Sequence, residues 1–207
     1  MSRRSLYDRL SDRAWSCISS LLEDPTPPPE ITSDATCDES VSGTLAWPKA
    51  CRALARGDWN SRGFRRTRAT RQVVETLGLT DGRYFARYIM RHHPEWLIDL
   101  NVRKLNDWGD PIQAPSWALG TPRPFSPTSL RYLAHALWMK HEGFVVSGGL
   151  IAEIGVGFGG LAAMNSLVSH ARTVLIDLPD VERTASLMME QNDLSSHLVS
   201  RDELTEE

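Results

Sequence analysis

The chain has 207 residues, of which 41% are hydrophobic and 24% charged, and its formal net charge is −3. These values are typical of a soluble globular protein, and the slightly acidic balance gives no overall attraction for nucleic acid or an anionic membrane. The three cysteines lack the spacing of a zinc site, and the N-terminus lacks the apolar run of a secretory signal. No stretch is long and apolar enough to cross a bilayer, so we expect a cytoplasmic protein with reduced thiols.

Residues 1–23 are predicted to form one amphipathic N-terminal helix. Apolar side chains recur there at helical spacing, at Leu6, Leu10, Ala14, Ile18 and Leu21. The helix cannot continue past Pro25, because proline lacks the backbone N–H that a helix interior needs. Residues 24–44 are rich in proline, serine, threonine and acidic residues, with few large apolar groups, which predicts a flexible linker.

Residues 45–145 are predicted to form a region of helices and loops. Seven arginines lie between residues 52 and 71. No nucleic-acid motif accompanies them, so we interpret them as the solvated face of a helix over about residues 67–77, and an RNA- or DNA-binding surface is the disfavoured alternative. A second helix is predicted over residues 82–92, with Tyr84, Phe85, Tyr88 and Ile89 as its buried stripe. No metal site is expected at its end, since the adjacent His92 and His93 point in different directions.

Residues 106–127 contain five prolines and two tryptophans, which predicts an irregular surface loop. Ser126 has the character of a helix N-cap and Pro127 that of a first helical residue, so a helix is predicted to begin there. Its inward face should include Leu130, Leu133, Leu137 and Trp138, and it should end near Gly143.

Residues 146–207 carry the most specific pattern of the chain. A buried parallel strand is predicted at residues 150–154, then a glycine-rich turn, a helix at 161–168 and a second strand at 173–176. A helix at 181–191 and a third strand around 197–200 follow. The predicted fold class is therefore α/β, with an N-terminal helical region followed by the first part of a Rossmann-like sheet, strands 1 to 3 with their helices.

The turn after the first strand holds the candidate cofactor site. Glycines at Gly155, Gly157 and Gly159 permit positive φ and let a ligand approach the main chain. Asp177, at the end of the second strand, falls where a βαβ unit places an acid for ribose hydroxyls. Glu153 would repel a pyrophosphate and suits a ligand that carries an ammonium and a sulfonium. The favoured cofactor is therefore S-adenosylmethionine, bound by a partial Rossmann-like domain at residues 146–207.

Two other interpretations of this turn stay open. Gly155, Gly157 and Gly160 satisfy the dinucleotide fingerprint, which is compatible with a fragment of an NAD-binding oxidoreductase. A glycine-rich turn can also serve only the close packing of a strand and a helix.

Four motifs follow one another along the chain: Asn106-Asp107 with Gly109 and Pro111, then residues 126–132, 153–160 and 176–181. Together they resemble the sugar O-methyltransferase family over about residues 84–194. The resemblance implies a bacterial, S-adenosylmethionine-dependent enzyme that methylates a hydroxyl of a sugar or polysaccharide precursor. It also implies that Glu153, Gly155, Gly157 and Asp177 contact the cofactor, and that the loop at residues 106–127 and the helix after it lie over the substrate side. We therefore expect residues 45–145 to form the substrate-side region.

No general base is assigned from the sequence. His135 and His141 lie on the helix before the glycine turn, and Asp107 and Asp110 lie in the preceding loop. Each has a ready structural explanation, because helix histidines are usually packed and acids in turns bond to the backbone.

Compared with that family, the chain lacks the later strands of the sheet. We expect a C-terminally truncated or split enzyme, inactive or weak in cofactor binding, whose first strand is an open edge. A second copy or a partner chain would then complete the sheet. The rival hypothesis is a non-catalytic half-fold that acts as a binding or assembly module.

Overall fold

A computed structural model of the chain describes residues 11–17 and 46–201. The predicted linker at 24–44 and most of the predicted helix at 1–23 lie outside these ranges, but residues 11–17 are helical, as predicted. We name this segment α1. The other helices before the sheet are α2 (Ala46–Ala55), α3 (Arg68–Val73), α4 (Leu79–His92), α5 (Leu100–Asp107), α6 (Ser116–Leu119) and α7 (Pro127–His141). They are followed by β1 (Leu150–Ile154), α8 (Gly160–Ser169), β2 (Arg172–Ile176) and α9 (Pro179–Gln191).

Helix α7 begins as the sequence predicts. The Ser126 hydroxyl accepts hydrogen bonds from the backbone N–H groups of Thr128 and Ser129, at 3.1 and 3.4 Å, which satisfies donors that have no partner inside the helix. Leu130, Leu133 and Leu137 are buried, but Trp138 is 45% exposed, so its predicted inward position is wrong. Consecutive helical residues are separated by about 100°, and α4 and α8 pack against the side of α7 that carries the leucines.

Helix α4 confirms the predicted helix and most of its predicted stripe: Ile89 is buried, and Phe85 and Tyr88 are half-buried against the core. The predicted aromatic stripe is wrong at Tyr84, which is 70% exposed, and the buried residues include Gly82, Ala86 and Ile89. A methyl group on Gly82 would lie 3.0 Å from Leu119 and 3.2 Å from Pro127. The close approach of α4 to α6 and α7 therefore uses its small residues, and Tyr84 is left on the outer side.

The loop at 106–127 is irregular, as predicted, apart from three local features. Helix α5 extends into its start, the single turn α6 lies within it, and an antiparallel bridge joins Ala114 to Phe125, with the Ala114 N–H donating to the Phe125 carbonyl at 2.8 Å. The five prolines leave few backbone donors, so pairing is limited to this one bridge.

The described part of the sheet contains two parallel strands, paired in register from Leu150 opposite Arg172 to Ile154 opposite Ile176. The predicted third strand is wrong. Residues 195–197 form a 3₁₀ turn, and the segment after it makes a single bridge, Leu198 to Thr173. Of the predicted strand residues, His197 belongs to the turn and only Leu198 pairs with β2.

Strand β1 is exposed rather than buried, which corrects the prediction for residues 150–154. Leu150 is 48% and Ile154 80% exposed. No described strand pairs with its outer side, which agrees with the expected open edge.

The helices before β1 and the strand-helix unit after it share one hydrophobic core. Helix α7 packs against both α4 and α8, and α2 packs against α9. The buried core includes Phe64, Leu130, Leu133, Ala162 and Met188. Among the described residues, no helix has both the length and the apolar character that a membrane crossing requires.

Candidate functional site

A cavity of about 800 Å³ opens at the carboxyl ends of β1 and β2. Ligands of open α/β sheets bind at this end of the strands, because the loops there can diverge. The walls come from both halves of the described chain: Trp47, Val73, Val74, Arg131, Tyr132 and His135 from the helical region, and Glu153, Gly155, Gly157, Leu161, Asp177 and Arg201 from the strand-helix unit. Four of the five residues proposed from the sequence, Glu153, Gly155, Gly157 and Asp177, therefore meet at one cavity.

The glycines of the turn have different structural roles. Gly155, Gly157 and Gly159 all have positive φ, at 75°, 57° and 85°. A methyl group on Gly155 would meet no atom within 4 Å, whereas one on Gly159 would lie 3.0 Å from Ala185 of α9. Gly159 is buried and is not part of the cavity wall. The open space beside Gly155 lets a ligand reach the backbone there, while Gly159 allows α8 and α9 to pack closely.

Glu153 lies at the end of β1 with an incompletely satisfied carboxylate. The backbone N–H of Ala162 donates to it, but its Oε2 is buried and has no hydrogen-bond partner among the described residues. Burial raises the pKa of Glu153 to about 7; the bond from Ala162 opposes the rise, and the nearby Asp177 adds to it. A cationic ligand in the cavity would supply the missing interaction and favour the ionised carboxylate.

Asp177 is held at the end of β2 by two local hydrogen bonds. Its backbone N–H donates to Glu182 Oε1 at 2.7 Å, and its Oδ1 accepts the N–H of Leu178 at 2.7 Å. Glu182 also binds Arg201, which lines the cavity. The Asp177 carboxylate is thus oriented by the start of α9 while remaining part of the wall.

The glycine turn packs against Arg65, a buried residue that the sequence analysis predicts to be exposed to solvent. Arg65 is only 1% exposed, so the interpretation of the arginine-rich segment as solvated is wrong at this position, although Arg68 is exposed. The Arg65 guanidinium lies over the ring of Phe158, 4.6 Å from its centroid. Because Phe158 stands between Gly157 and Gly159, Arg65 supports the backbone that faces the cavity.

The guanidinium of Arg65 has partners for most of its donors. Nε donates to Glu75 Oε1 at 2.5 Å, Nη1 to the carbonyls of Asn106 and Trp108, and Nη2 to the hydroxyls of Ser126 and Ser129. Glu75 in turn accepts from Ser126 at 2.9 Å. The motifs at residues 106–109, 126–129 and 158, which are far apart in sequence, therefore converge on one buried ion pair.

Of the four candidate bases, only His135 lines the cavity. Asp110 pairs with Arg66 at 3.0 Å, and Asp107 accepts from Asn106 and from Gln113. His141 lies beside the ring of His93, with 6.5 Å between the ring centroids. Within the described ranges, no three His, Cys, Asp or Glu side chains are grouped as metal ligands.

If the cavity binds a ligand, we expect Gly155→Ala to weaken that binding about tenfold or more, because its methyl group would enter the space through which a ligand approaches the backbone. Gly143→Ala is a matched control, since Gly143 also has a φ of 75° with nothing within 4 Å and does not line the cavity. Both variants should lose about 1–2 kcal/mol of stability through backbone strain. Equal binding by the two variants, measured by calorimetry, would contradict a ligand site at Gly155.

Comparisons with known proteins give no relative for this chain. No family model matches it, and no curated protein and no solved structure is significantly similar.

Proposed function

We propose that the protein is an S-adenosylmethionine-dependent methyltransferase that acts on a hydroxyl of a sugar or polysaccharide precursor. The observation that carries the proposal is the unpartnered carboxylate oxygen of Glu153, buried at a glycine turn that leaves room for a ligand. A buried carboxyl group with one unpartnered oxygen, beside an open cavity, favours a cationic ligand. The resemblance of the sequence motifs supports the acceptor class.

The residues present fit this cofactor. Glu153 would hold the ammonium group, the backbone at Gly155 and Gly157 would lie along the ligand, and Asp177 would accept hydrogen bonds from the ribose hydroxyls. When bound, S-adenosylmethionine supplies an electrophilic methyl group. The contribution of the protein is mainly to position an acceptor hydroxyl in line with that group and to exclude water.

A dinucleotide fits the carboxylates at the strand ends less well, although Arg131 and Arg201 also line the cavity. The spacing of Gly155, Gly157 and Gly160 suits NAD, but Glu153 and Asp177 both line the cavity. A pyrophosphate beside the Glu153 carboxylate would meet repulsion in a partly buried site, where charges are weakly screened.

Calorimetry with S-adenosylmethionine and with NAD tests the proposal directly. We expect the first to bind and the second not to. Asp177→Asn should weaken S-adenosylmethionine binding by about 10- to 100-fold, which is the usual contribution of hydrogen bonds to a charged group. Asp193→Asn, a change at an exposed acid paired with Lys104, is the control and should bind normally. Tighter binding of NAD than of S-adenosylmethionine would overturn the proposal.

A second candidate function, as an assembly module, rests on the open edge of β1. The Arg172 N–H donates to the Gly149 carbonyl, and the Gly155 N–H donates to the Ile176 carbonyl. In a parallel pair, every second residue of a strand forms hydrogen bonds to the neighbouring strand. Gly149 and Gly155 bond to the β2 side, so the N–H and C=O of Ala152 point to the side of β1 that faces away from β2. Another chain could therefore add a strand there.

If this edge mediates assembly, Ala152→Pro should abolish it, because proline removes the outward donor without breaking the ladder to β2. Sedimentation velocity measures the change, and an unaltered denaturation curve shows that the fold is intact. A wild-type protein that stays monomeric at high concentration and captures no strand would exclude this function.

A further inference from the structure

A second, smaller cavity opens beside the first, between α4 and α7. It measures about 320 Å³, at the lower end of the range for small-molecule sites. We call it the aromatic groove, defined by the rings of Tyr84, Phe85, Tyr88, His135 and Trp138.

Three rings of the aromatic groove, those of Tyr84, His135 and Trp138, are exposed to solvent, and those of Phe85 and Tyr88 are half-buried against the core. Tyr84 is 70% and Trp138 45% exposed. Tyr84 packs edge-on against Phe85, and Phe85 packs edge-on against His135, with 5.5 Å between the centroids in each pair. Large apolar rings held open to solvent on rigid helices form a platform for a flat apolar surface.

The aromatic groove is continuous with the larger cavity. His135 and Leu161 line both. No described residue hydrogen-bonds the imidazole of His135. Partial desolvation lowers the pKa of His135 below its usual value and the nearby Arg131 lowers it further, and both effects favour the neutral imidazole, in which one nitrogen accepts a hydrogen bond. A ligand in the groove would therefore meet a hydrogen-bond acceptor at the border of the cofactor cavity.

The lining of the aromatic groove also indicates the charge of its ligand. None of the described residues that line it is a lysine or an arginine, so its own lining offers no cation for a phosphate or a carboxylate; Arg131 lines the larger cavity and lies over the ring of Tyr132. Two tyrosine hydroxyls and the imidazole offer hydrogen bonds at its rim. This combination of aromatic faces and neutral polar groups suits an uncharged, polyhydroxylated ring.

We infer that the aromatic groove is the acceptor site, a placement that rests on the proposed methyltransferase function. A neutral saccharide stacks its C–H face on Tyr84 and Trp138, and His135 hydrogen-bonds the hydroxyl that faces the cofactor cavity. His135 thereby acts as a positioning residue for that hydroxyl.

Saturation-transfer NMR on the full chain tests the assignment, with cellobiose, maltose, lactose and N,N′-diacetylchitobiose as probes at neutral pH. We expect at least one of them to bind. Tyr84→Ala and Trp138→Ala should weaken binding about tenfold or more, as loss of an aromatic anchor does. His135→Asn should weaken it less. Trp117→Ala removes a tryptophan that is 83% exposed outside the groove and should have no effect.

Calorimetry with S-adenosylhomocysteine on the same samples separates the two proposals. Its affinity should be the same in the wild type and in the Tyr84 and Trp138 variants. If it binds while no saccharide binds at about 10 mM, the aromatic groove is not the acceptor site and the proposed function stands. If a saccharide binds in the groove but S-adenosylhomocysteine does not bind, the methyltransferase proposal fails and the acceptor role fails with it. Equal loss on Trp117→Ala would also overturn the assignment.

Discussion

Arg65→Met is expected to lower the free energy of unfolding by about 3–5 kcal/mol, which is the usual effect of removing one partner from a buried ion pair. The change deletes five hydrogen bonds and leaves the Glu75 carboxylate next to Ser126 without its positive partner. It also removes the support under Phe158. Urea denaturation followed by circular dichroism measures the loss.

The exposed neighbour Arg68 provides the matched control for this experiment. Arg68→Ala should change stability by less than about 0.5 kcal/mol, as most surface substitutions do. The double variant Arg65→Met with Glu75→Leu should be more stable than Arg65→Met alone, because it removes the uncompensated charge. A loss below about 1 kcal/mol in the single variant would show that the ion pair does not hold the fold together.

Glu153→Gln is expected to remove a pH dependence from the stability of the ligand-free protein. The pKa of Glu153 is raised by burial from 4.5 to about 7, so the folded state binds its proton more tightly than the unfolded state does. The protonated Glu153 therefore stabilises the folded state. This stabilisation is complete below about pH 4.5, is lost as the pH rises to about 7, and amounts to about 3 kcal/mol at most. The difference in unfolding free energy between wild type and variant, measured from pH 4.5 to 8, isolates this contribution.

The Glu153 carboxylate should also make the affinity for S-adenosylmethionine depend on pH. This affinity should rise with pH, whereas the stability contribution of Glu153 falls. The ionised form binds a cation, so the affinity of the wild type for S-adenosylmethionine should rise up to about tenfold per pH unit below pH 7 and level off above it. The Glu153→Gln variant should bind about 10- to 100-fold more weakly and lose this slope. Glu190→Gln, at an exposed position, is the isosteric control. If the affinity of Glu153→Gln for S-adenosylmethionine still depends on pH, another titrating group causes that dependence.

Local sequence signals predicted the elements around the site. The β1 and β2 strands, the N-cap at Ser126 and the helices α8 and α9 all follow from periodicity and capping residues. Helix α2 was missed, although Trp47, Ala50, Cys51 and Leu54 have helical spacing and are buried. The apolar spacing of these residues predicts a helix, but the neighbouring arginines make the segment look like a solvated loop.

The candidate site was predicted in part. Glu153 and Asp177 were placed by their positions at the ends of two strands, which a βαβ unit brings together whatever else surrounds it. The helical wall of the cavity was not predicted, because contacts of Val74, Tyr132 and His135 with the glycine turn depend on how α3 and α7 pack.

By itself, the sequence determined where the first two strands, the glycine turn and the start of α7 lie, because these depend on spacing, positive φ and capping within a few residues. Only the tertiary structure decided which side chains are buried. Arg65 lies in a segment that looks solvated, and it is buried because partners from four distant segments surround it. Tyr84 looks like a core residue, and it is exposed because α4 packs through Gly82. Burial depends on contacts between elements far apart in sequence, which local periodicity does not specify.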